Sequence, residues 1–137
     1  MPQNENLIIS IAKLHSQLLK RVDQQLSVHG ISFTEFLVMH HLYDAPNKTM
    51  RRIDLAECIG FSASGVTRLV NPMEKNHLVR KEIKARDARV SLVRLSKTGE
   101  ELYNYAKVTF GQSAKHIFKS LSDNQATTLL KLTNSLL

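Results

Sequence analysis

The sequence predicts a mainly helical protein of the α+β class, with a helix-turn-helix and a β-hairpin framed by helices at both ends. Three observations support this prediction. Apolar residues recur at helical spacing from Leu7 to Leu26 and again after Lys97. Two short helices meet at a tight turn over Gly60 to Ser62, which is the spacing of a helix-turn-helix. Two β-branched segments then follow, and a hairpin in that position is the wing of a winged helix.

The first two helices are bounded by recognisable end signals. His29 and Gly30 stop the first helix, because glycine readily takes the left-handed conformation of a helix C-terminus. Ser32 and Glu35 have the spacing of a capping box, which predicts a second helix from about residue 33 to residue 44.

The following segment holds the predicted helix-turn-helix. Gly60 ends a third helix over 53–59, and Ser62 caps a fourth helix. Pro72 falls where that fourth helix should continue, so the helix either bends there or ends early. Asn76 and His77 are predicted to form a turn, since both residue types tolerate a left-handed conformation.

The rest of the chain is predicted as two strands and two helices. The strands cover 78–84 and 90–95, and a helix follows from 97 to about 120. Ser122 and Gln125 form a second capping box, which opens a last helix rich in leucine.

Length and charge narrow the class of protein. A chain of 137 residues can bury one core but not two. Residues 46–97 hold 12 of the 19 Lys and Arg and 5 of the 12 acids, a net charge of +7, whereas the remaining residues are balanced at seven of each. This concentration of charge favours a surface that faces a polyanion, carried on neutral terminal segments.

The sequence lacks a membrane span, a signal peptide and a second cysteine, and these absences indicate where the protein is located and how its cysteine behaves. No apolar run reaches the roughly 18 residues of a membrane span, and the N-terminus lacks the pattern of a signal peptide. We expect a cytoplasmic protein without a membrane partner. The single cysteine, Cys58, cannot form an intrachain disulfide, and its position near Leu55 and Ile59 predicts a small core residue.

Three stretches of the chain resemble the MarR family of multiple-antibiotic-resistance regulators. They are LAECIGFSASGVTRLV at 55–70, EKNHLVRK at 74–81 and RDARVSLVRLSKTG at 86–99. The most specific part is Asp87-x-Arg89 followed by Leu95-Ser96-x-x-Gly99. The family usually has threonine at the position of Ser96 and glycine at that of His77.

The resemblance implies a homodimer and a regulatory function. It divides the single domain, residues 1–137, into a winged helix-turn-helix at about 32–97 and dimerisation helices at about 5–30 and 98–137. It also implies repression of genes, relieved by a small aromatic or phenolic effector. The residue pattern agrees, because the terminal helices have more apolar surface than a winged helix of this size could cover.

Contacts to duplex DNA fall into two groups on the helix-turn-helix. Phosphate contacts fix the register of a protein on DNA, whereas the exposed face of a recognition helix reads base edges in the major groove. Arg68 is the strongest candidate for guanine, although a phosphate clamp or a brace to the wing is an equally good interpretation. The phosphate candidates are Arg51, Arg52, Thr67, Lys81 and Arg94, and the base-edge candidates are Ser62, Ser64, Thr67, Arg68 and Asn71.

The wing tip supplies a third group of contacts. The resemblance makes Arg89 the residue inserted into the minor groove and Asp87 its brace. A narrow A·T-rich minor groove has an enhanced negative potential that attracts arginine. Arg86 and Lys84 would add phosphate contacts. Two subunits would then bind a pseudo-palindromic site whose half-sites lie about one helical turn apart.

Functions other than DNA binding have weaker support in the sequence. No two histidines or cysteines have the spacing of a local zinc site, and no catalytic motif or cofactor site is present, so we expect neither an enzyme nor a cofactor. A metal-sensing or redox-sensing regulator of the same fold stays open as an alternative, as does a winged helix that binds protein. His15 and His41 are candidates for lining an effector site near the crevice that the family resemblance implies.

Overall fold

The computed structural model describes residues 2–83 and 90–137. Within these ranges the chain is mainly helical with a small sheet, so the predicted fold class is confirmed. No helix in them has the length and apolarity of a membrane span. The helices are α1 (Gln3–Leu26), α2 (Phe33–Asp44), α3 (Arg52–Ile59), α4 (Ala63–Lys75), α5 (Lys97–Ile117) and α6 (Asp123–Ser135), and the strands are β1 (Thr49–Arg51), β2 (Val79–Ile83) and β3 (Ser91–Leu95).

The end signals in the sequence act as predicted. In α2 the backbone N–H of Glu35 donates to the Ser32 hydroxyl at 3.1 Å, and the Glu35 carboxylate accepts from the Ser32 N–H at 2.9 Å. The capping box of α6 forms in the same way. Gly30 ends the short 3-10 turn after α1 with φ 72°, a left-handed angle that costs glycine little. Helix α5 ends at Ile117, three residues before its predicted end.

The core lies where α2 crosses between α5 and the helix-turn-helix. The ring of Phe36 stacks on Tyr103 at 5.3 Å and on Phe110 at 4.6 Å between centroids, which ties α2 to α5. Leu42 of α2 and Leu55 of α3 are fully buried on the side of α2 that faces the helix-turn-helix. This core joins the winged helix to α5 through α2.

The sheet has one strand more than the sequence predicts. Its order is β1-β3-β2, and both pairings are antiparallel. The three residues of β1 were missed because so short a strand carries no periodicity of its own. Met50 lies opposite Val93, and this pairing to β3 is what makes the segment a strand.

Two local predictions around the fourth helix are resolved. Helix α4 continues through Pro72 to Lys75, so the alternative that it ends early is wrong. The chain leaves the helix in a turn at His77, where φ is 62°, and the predicted left-handed turn is confirmed. The N–H of Leu78 then donates to the Met73 carbonyl at 2.9 Å, which leads the chain directly into β2.

The terminal helices leave their apolar faces uncovered. No residue of α6 is buried, and the side chains of Leu130 and Leu132 are 62% and 60% exposed. On α1, Ile8 is 71% exposed and Ile11 is 53% exposed, and only Val22 and Leu26 are buried. The single chain therefore carries a large apolar surface at both ends.

Candidate nucleic-acid interface

The turn between α3 and α4 places the start of α4 at the surface. Gly60 takes φ 72° and closes α3, and the Phe61 N–H donates to the Ala56 carbonyl at 2.9 Å. The Ser62 hydroxyl caps α4 by accepting from the Gly65 N–H at 3.1 Å. Because Ser62 is occupied as the cap, its hydroxyl is less available to DNA than the sequence alone suggests.

Thr67 connects the two helices of the motif. Nη1 of Arg52 donates to the Thr67 hydroxyl at 2.8 Å, and that hydroxyl donates in turn to the Ala63 carbonyl at 3.1 Å. Arg52 thus bridges the start of α3 to the first turns of α4. The bridge leaves other guanidinium N–H groups of Arg52 for a phosphate, since the group has five donors.

Arg51 makes a forked pair at the start of α3. Its Nε and Nη2 donate to the two carboxylate oxygens of Asp54 at 2.9 and 3.1 Å. This hydrogen bonding holds the pKa of Asp54 below its ordinary value, while partial desolvation acts in the opposite direction. The pair is exposed, so it orients the Arg51 side chain more than it stabilises the fold.

The C-terminal half of α4 is joined to the wing strand β2 by three polar residues. The amide oxygen of Asn71 accepts a hydrogen bond from Nζ of Lys81. The carboxylate of Glu74 accepts from the Lys81 backbone N–H at 3.0 Å, and its other oxygen lies 3.8 Å from Nζ. Two predicted DNA contacts, Asn71 and Lys81, are therefore in contact with each other.

Two predicted arginines remain near this surface. Arg68 is exposed on α4, and within residues 2–83 and 90–137 no hydrogen bond or ion pair engages it. Arg94 is exposed on β3, directly opposite Arg80, and lies 3.8 Å from a Glu82 oxygen. Both guanidiniums can reach an anion in solvent.

The wing tip predictions fall on residues that the structure does not describe. Lys84, Arg86, Asp87 and Arg89 all lie in the gap at 84–89. The strands that lead to the gap are described, with Ile83 paired to Ser91.

The two candidate effector residues lie apart in the described fold. His15 is exposed on α1, whereas His41 is half-buried near the end of α2 and lines a cavity of about 470 Å³. Burial lowers the pKa of His41, the adjacent His40 lowers it further, and Asp44 acts in the opposite direction. The other residues around the cavity come from α2, β1, α3 and β3: Asp44, Ala45, Pro46, Thr49, Met50, Arg51, Asp54 and Leu92.

A second cavity, of about 370 Å³, lies between α1 and α5. It is lined mainly by polar side chains, and neither candidate histidine belongs to it. The lining residues are Arg21, Gln24, Gln25, Gln112, Ser113, His116 and Ile117.

The prediction of a buried Cys58 is wrong, because its side chain is exposed. The buried stripe of α3 runs between Leu55 and Ala56, and Cys58 is turned about 110° from its centre at 100° per residue. As for metals, the described ranges contain no group of three or more His, Cys, Asp or Glu side chains that could hold an ion.

Two further residues position the interface, and sequence reasoning overlooked the first and gave no structural role to the second. Glu74 holds β2 against α4 by accepting from the Lys81 N–H. The one feature of the sequence that pointed to Glu74 is its position three residues after Asn71, on the same face of the helix. Gly99 lets α5 approach the backbone of Leu78, where an added Cβ would lie 2.1 Å from the carbonyl oxygen. The sequence motif marked Gly99 without indicating its neighbour.

The fold and this surface define a winged helix-turn-helix protein, and comparison with known proteins shows which regulators it is similar to. The MarR family model matches residues 29–90. The transcriptional repressor MprA of Escherichia coli K12 is 23% identical over 137 residues, which cover 99% of this chain and 78% of the relative. The chain is therefore similar to the MarR family over its central segment, which holds most of the sequence motifs that carry the predicted resemblance.

Two solved structures share the whole fold. A MarR family transcriptional regulator from Streptomyces coelicolor, solved in complex with DNA, has a TM-score of 0.88 and 22% identity, covering 99% of this chain and 87% of that one. An organohalide-sensing transcriptional regulator, solved with 2,4-dichlorophenol bound, also has a TM-score of 0.88, with 19% identity and coverage of 99% and 80%.

Proposed function

We propose that the chain is a dimeric, sequence-specific DNA-binding transcriptional regulator that represses genes and responds to a small ligand. The observation that carries the proposal is the exposed face of α4, where Ser64, Arg68 and Asn71 lie beside the basic strands of the wing. A helix of this kind fits the major groove and offers donors to base edges. The proposal is not enzymatic, and it places the protein in the cytoplasm, where a regulator reaches DNA.

The proposed interface has three parts. Ser62, Ser64, Thr67, Arg68 and Asn71 meet base edges, although the contacts made by Ser62 and Thr67 within the fold limit their share. Phosphates are contacted by Arg51, Arg52, Thr67, Lys81 and Arg94, so Thr67 is a candidate for both kinds of contact. Arg89 enters the minor groove with Asp87 as its brace, and Lys84 and Arg86 contact the flanking phosphates.

The second subunit completes the DNA-binding unit. The exposed apolar faces of α1 and α6 are larger than a soluble monomer normally presents. A second copy that covers them would place two recognition helices about one helical turn apart, roughly 34–36 Å, which suits a pseudo-palindromic site. On this proposal residues 5–30 and 98–137 form the dimerisation part and residues 32–97 the DNA-binding part.

The cavity beside His41 is the proposed effector site. Its volume of about 470 Å³ is within the range of small-molecule sites. It is lined by Arg51 and Asp54 at the start of α3, so a bound ligand would contact the segment whose next residue, Arg52, donates to Thr67. A phenol such as 2,4-dichlorophenol is the first probe to test, with His41→Gln as the variant that should reduce its effect on DNA binding. His15 would contribute to this site only from the second subunit.

Fluorescence titration with duplex DNA at several salt concentrations tests the proposed function. We expect affinity to fall steeply with salt, with a log-log slope of magnitude roughly 5–9 for 6–10 neutralised phosphates. Arg68→Ala should weaken binding, whereas Lys131→Ala, which removes an equal charge from α6, should not. A response independent of salt would favour a winged helix that binds protein instead of DNA.

The wing is tested separately. Arg89→Ala should weaken binding most on sites flanked by A·T pairs, because a narrow minor groove attracts arginine. An equal loss on every sequence would reassign Arg89 to a phosphate.

A further inference from the structure

We propose that Lys81 determines base specificity through Asn71: it holds the amide oxygen of Asn71 away from the DNA, so that the pair presents hydrogen-bond donors to the base edge and selects guanine over adenine. The inference rests on the proposed DNA-binding function, assigns one base preference within it, and moves Lys81 from the phosphate contacts to the base contacts. Three residues from two elements carry it, namely Asn71 and Glu74 on α4 and Lys81 on β2.

The face of β2 that carries Lys81 is turned toward the recognition helix. Successive side chains of a strand point to opposite faces, so Val79 and Lys81 share one face and Arg80 lies on the other. Val79 is 1% exposed and packs in the core beside α4, which fixes the direction of that face. Lys81 consequently extends along α4 rather than into open solvent.

Glu74 keeps Lys81 in this position. One carboxylate oxygen accepts from the Lys81 backbone N–H at 3.0 Å, and the other lies 3.8 Å from Nζ. The side chains are 37% and 44% exposed, so the ion pair alone contributes little. The backbone hydrogen bond holds the strand, and the carboxylate keeps the ammonium near Asn71.

The chemistry of lysine sets the orientation of the Asn71 amide. An ammonium group has three donors and no acceptor, so only the amide oxygen can face it. The hydrogen bond from Nζ to that oxygen therefore turns the NH₂ group of Asn71 outward. Asn71 is exposed on the same face of α4 as Ser64 and Arg68, where a base edge would approach.

This orientation changes which base the asparagine recognises. A free asparagine pairs with adenine by donating to N7 and accepting from the N6 amino group, and the second bond needs the oxygen, which here faces Lys81 instead of the base edge. Guanine instead presents two acceptors, N7 and O6. The NH₂ of Asn71 and a remaining N–H of Lys81 match both, so the Asn71 and Lys81 pair favours guanine.

The test begins with a DNA site selected from a random pool by the wild-type protein. The base pair that Asn71 contacts is identified as the position of this site whose base preference disappears in Asn71→Ala. At that position we expect the wild type to favour guanine over adenine by roughly 5- to 140-fold, the equivalent of one bidentate contact. Lys81→Met should reduce this ratio to below about threefold or shift it to adenine.

Two matched variants separate specificity from charge. Arg80→Met removes the same charge from the opposite face of β2, so it should weaken binding on all sequences and leave the base ratio unchanged. Lys81→Arg keeps a donor-only group and should preserve the ratio. Thermal unfolding of each variant checks that β2 still packs against α4.

Several results would overturn the inference. If Lys81→Met behaved like Arg80→Met, with an equal loss on every sequence, Lys81 would contact only phosphate and the inference would fail. A wild-type preference for adenine, or an unchanged site in Asn71→Ala, would contradict the assigned orientation. If the pool yields no preferred site at all, the proposed function fails, and this inference fails with it.

Discussion

Gly99 and Leu78 approach each other so closely that a Cβ on Gly99 would lie 2.1 Å from the Leu78 carbonyl oxygen. That carbonyl also accepts from the Ser96 N–H at 3.0 Å. The first turn of α5 is therefore seated directly on the segment that joins α4 to β2. This contact joins the start of α5 to the base of the wing.

Gly99→Ala should destabilise the protein, because the clash is with backbone that cannot rotate away. We expect a loss of roughly 2–3 kcal/mol and a lower Tm by on the order of 10 °C. Gly111→Ala is the matched control on the same helix, since nothing lies within 4 Å of its added Cβ. It should be neutral or stabilising by up to about 1 kcal/mol. Equal Tm values for the two variants would contradict the close approach.

Ser96→Ala should lower stability by about 1–2 kcal/mol, because one hydroxyl makes two bonds. It accepts from the Gly99 N–H at 2.9 Å as the cap of α5, and it donates to the His77 carbonyl at 2.5 Å. Ser96→Thr keeps the hydroxyl and should retain the wild-type midpoint in urea unfolding. A midpoint for Ser96→Ala that matches Ser96→Thr would show that neither bond matters.

His41 should make the protein less stable as the solution becomes acidic. The folded state lowers the pKa of His41, mainly by burial, below the value of about 6.5 found in an unfolded chain. The unfolded state then binds more protons than the folded state. The contribution of His41 to the free energy of unfolding is therefore complete above about pH 6.5 and is lost as pH falls through the lower pKa of the folded state.

The measurement for His41 is the free energy of unfolding between pH 7.5 and 5 at one protein concentration, a range chosen to span about 6.5. His41→Gln should show a shallower decline than the wild type over this range. Parallel curves would mean that His41 does not differ between the folded and unfolded states.

Leu130→Asp should separate the proposed dimer. The side chain is 62% exposed in the single chain and lies on the apolar face of α6, so a charge there would be buried by a second copy. Light scattering at micromolar concentration should give a dimer for the wild type and a monomer for Leu130→Asp. Lys131→Gln changes the charge by the same amount on the polar side of α6, roughly 160° from Leu129 and 100° from Leu130, and should remain dimeric. A wild-type monomer would remove the paired geometry on which the DNA-binding proposal depends.

The helix ends could be predicted from the sequence because each depends on residues within four positions of one another. The Ser32 and Glu35 capping box and the left-handed Gly60 act locally, so the chain needs no distant partner to place them. The excess of basic residues at 46–97 and the family motifs likewise needed only the order of residues.

Tertiary structure alone decided which residues of different helices and strands are in contact. Thr49 and Arg94 are far apart in the chain, yet their pairing creates β1, which no local pattern indicated. The contact of Lys81 with Asn71 has the same origin, because two elements must pack before their side chains meet. Cys58 became exposed because neighbouring helices determine which stripe of α3 is covered. Local signals determined the elements, and long-range packing determined the surface that they form together.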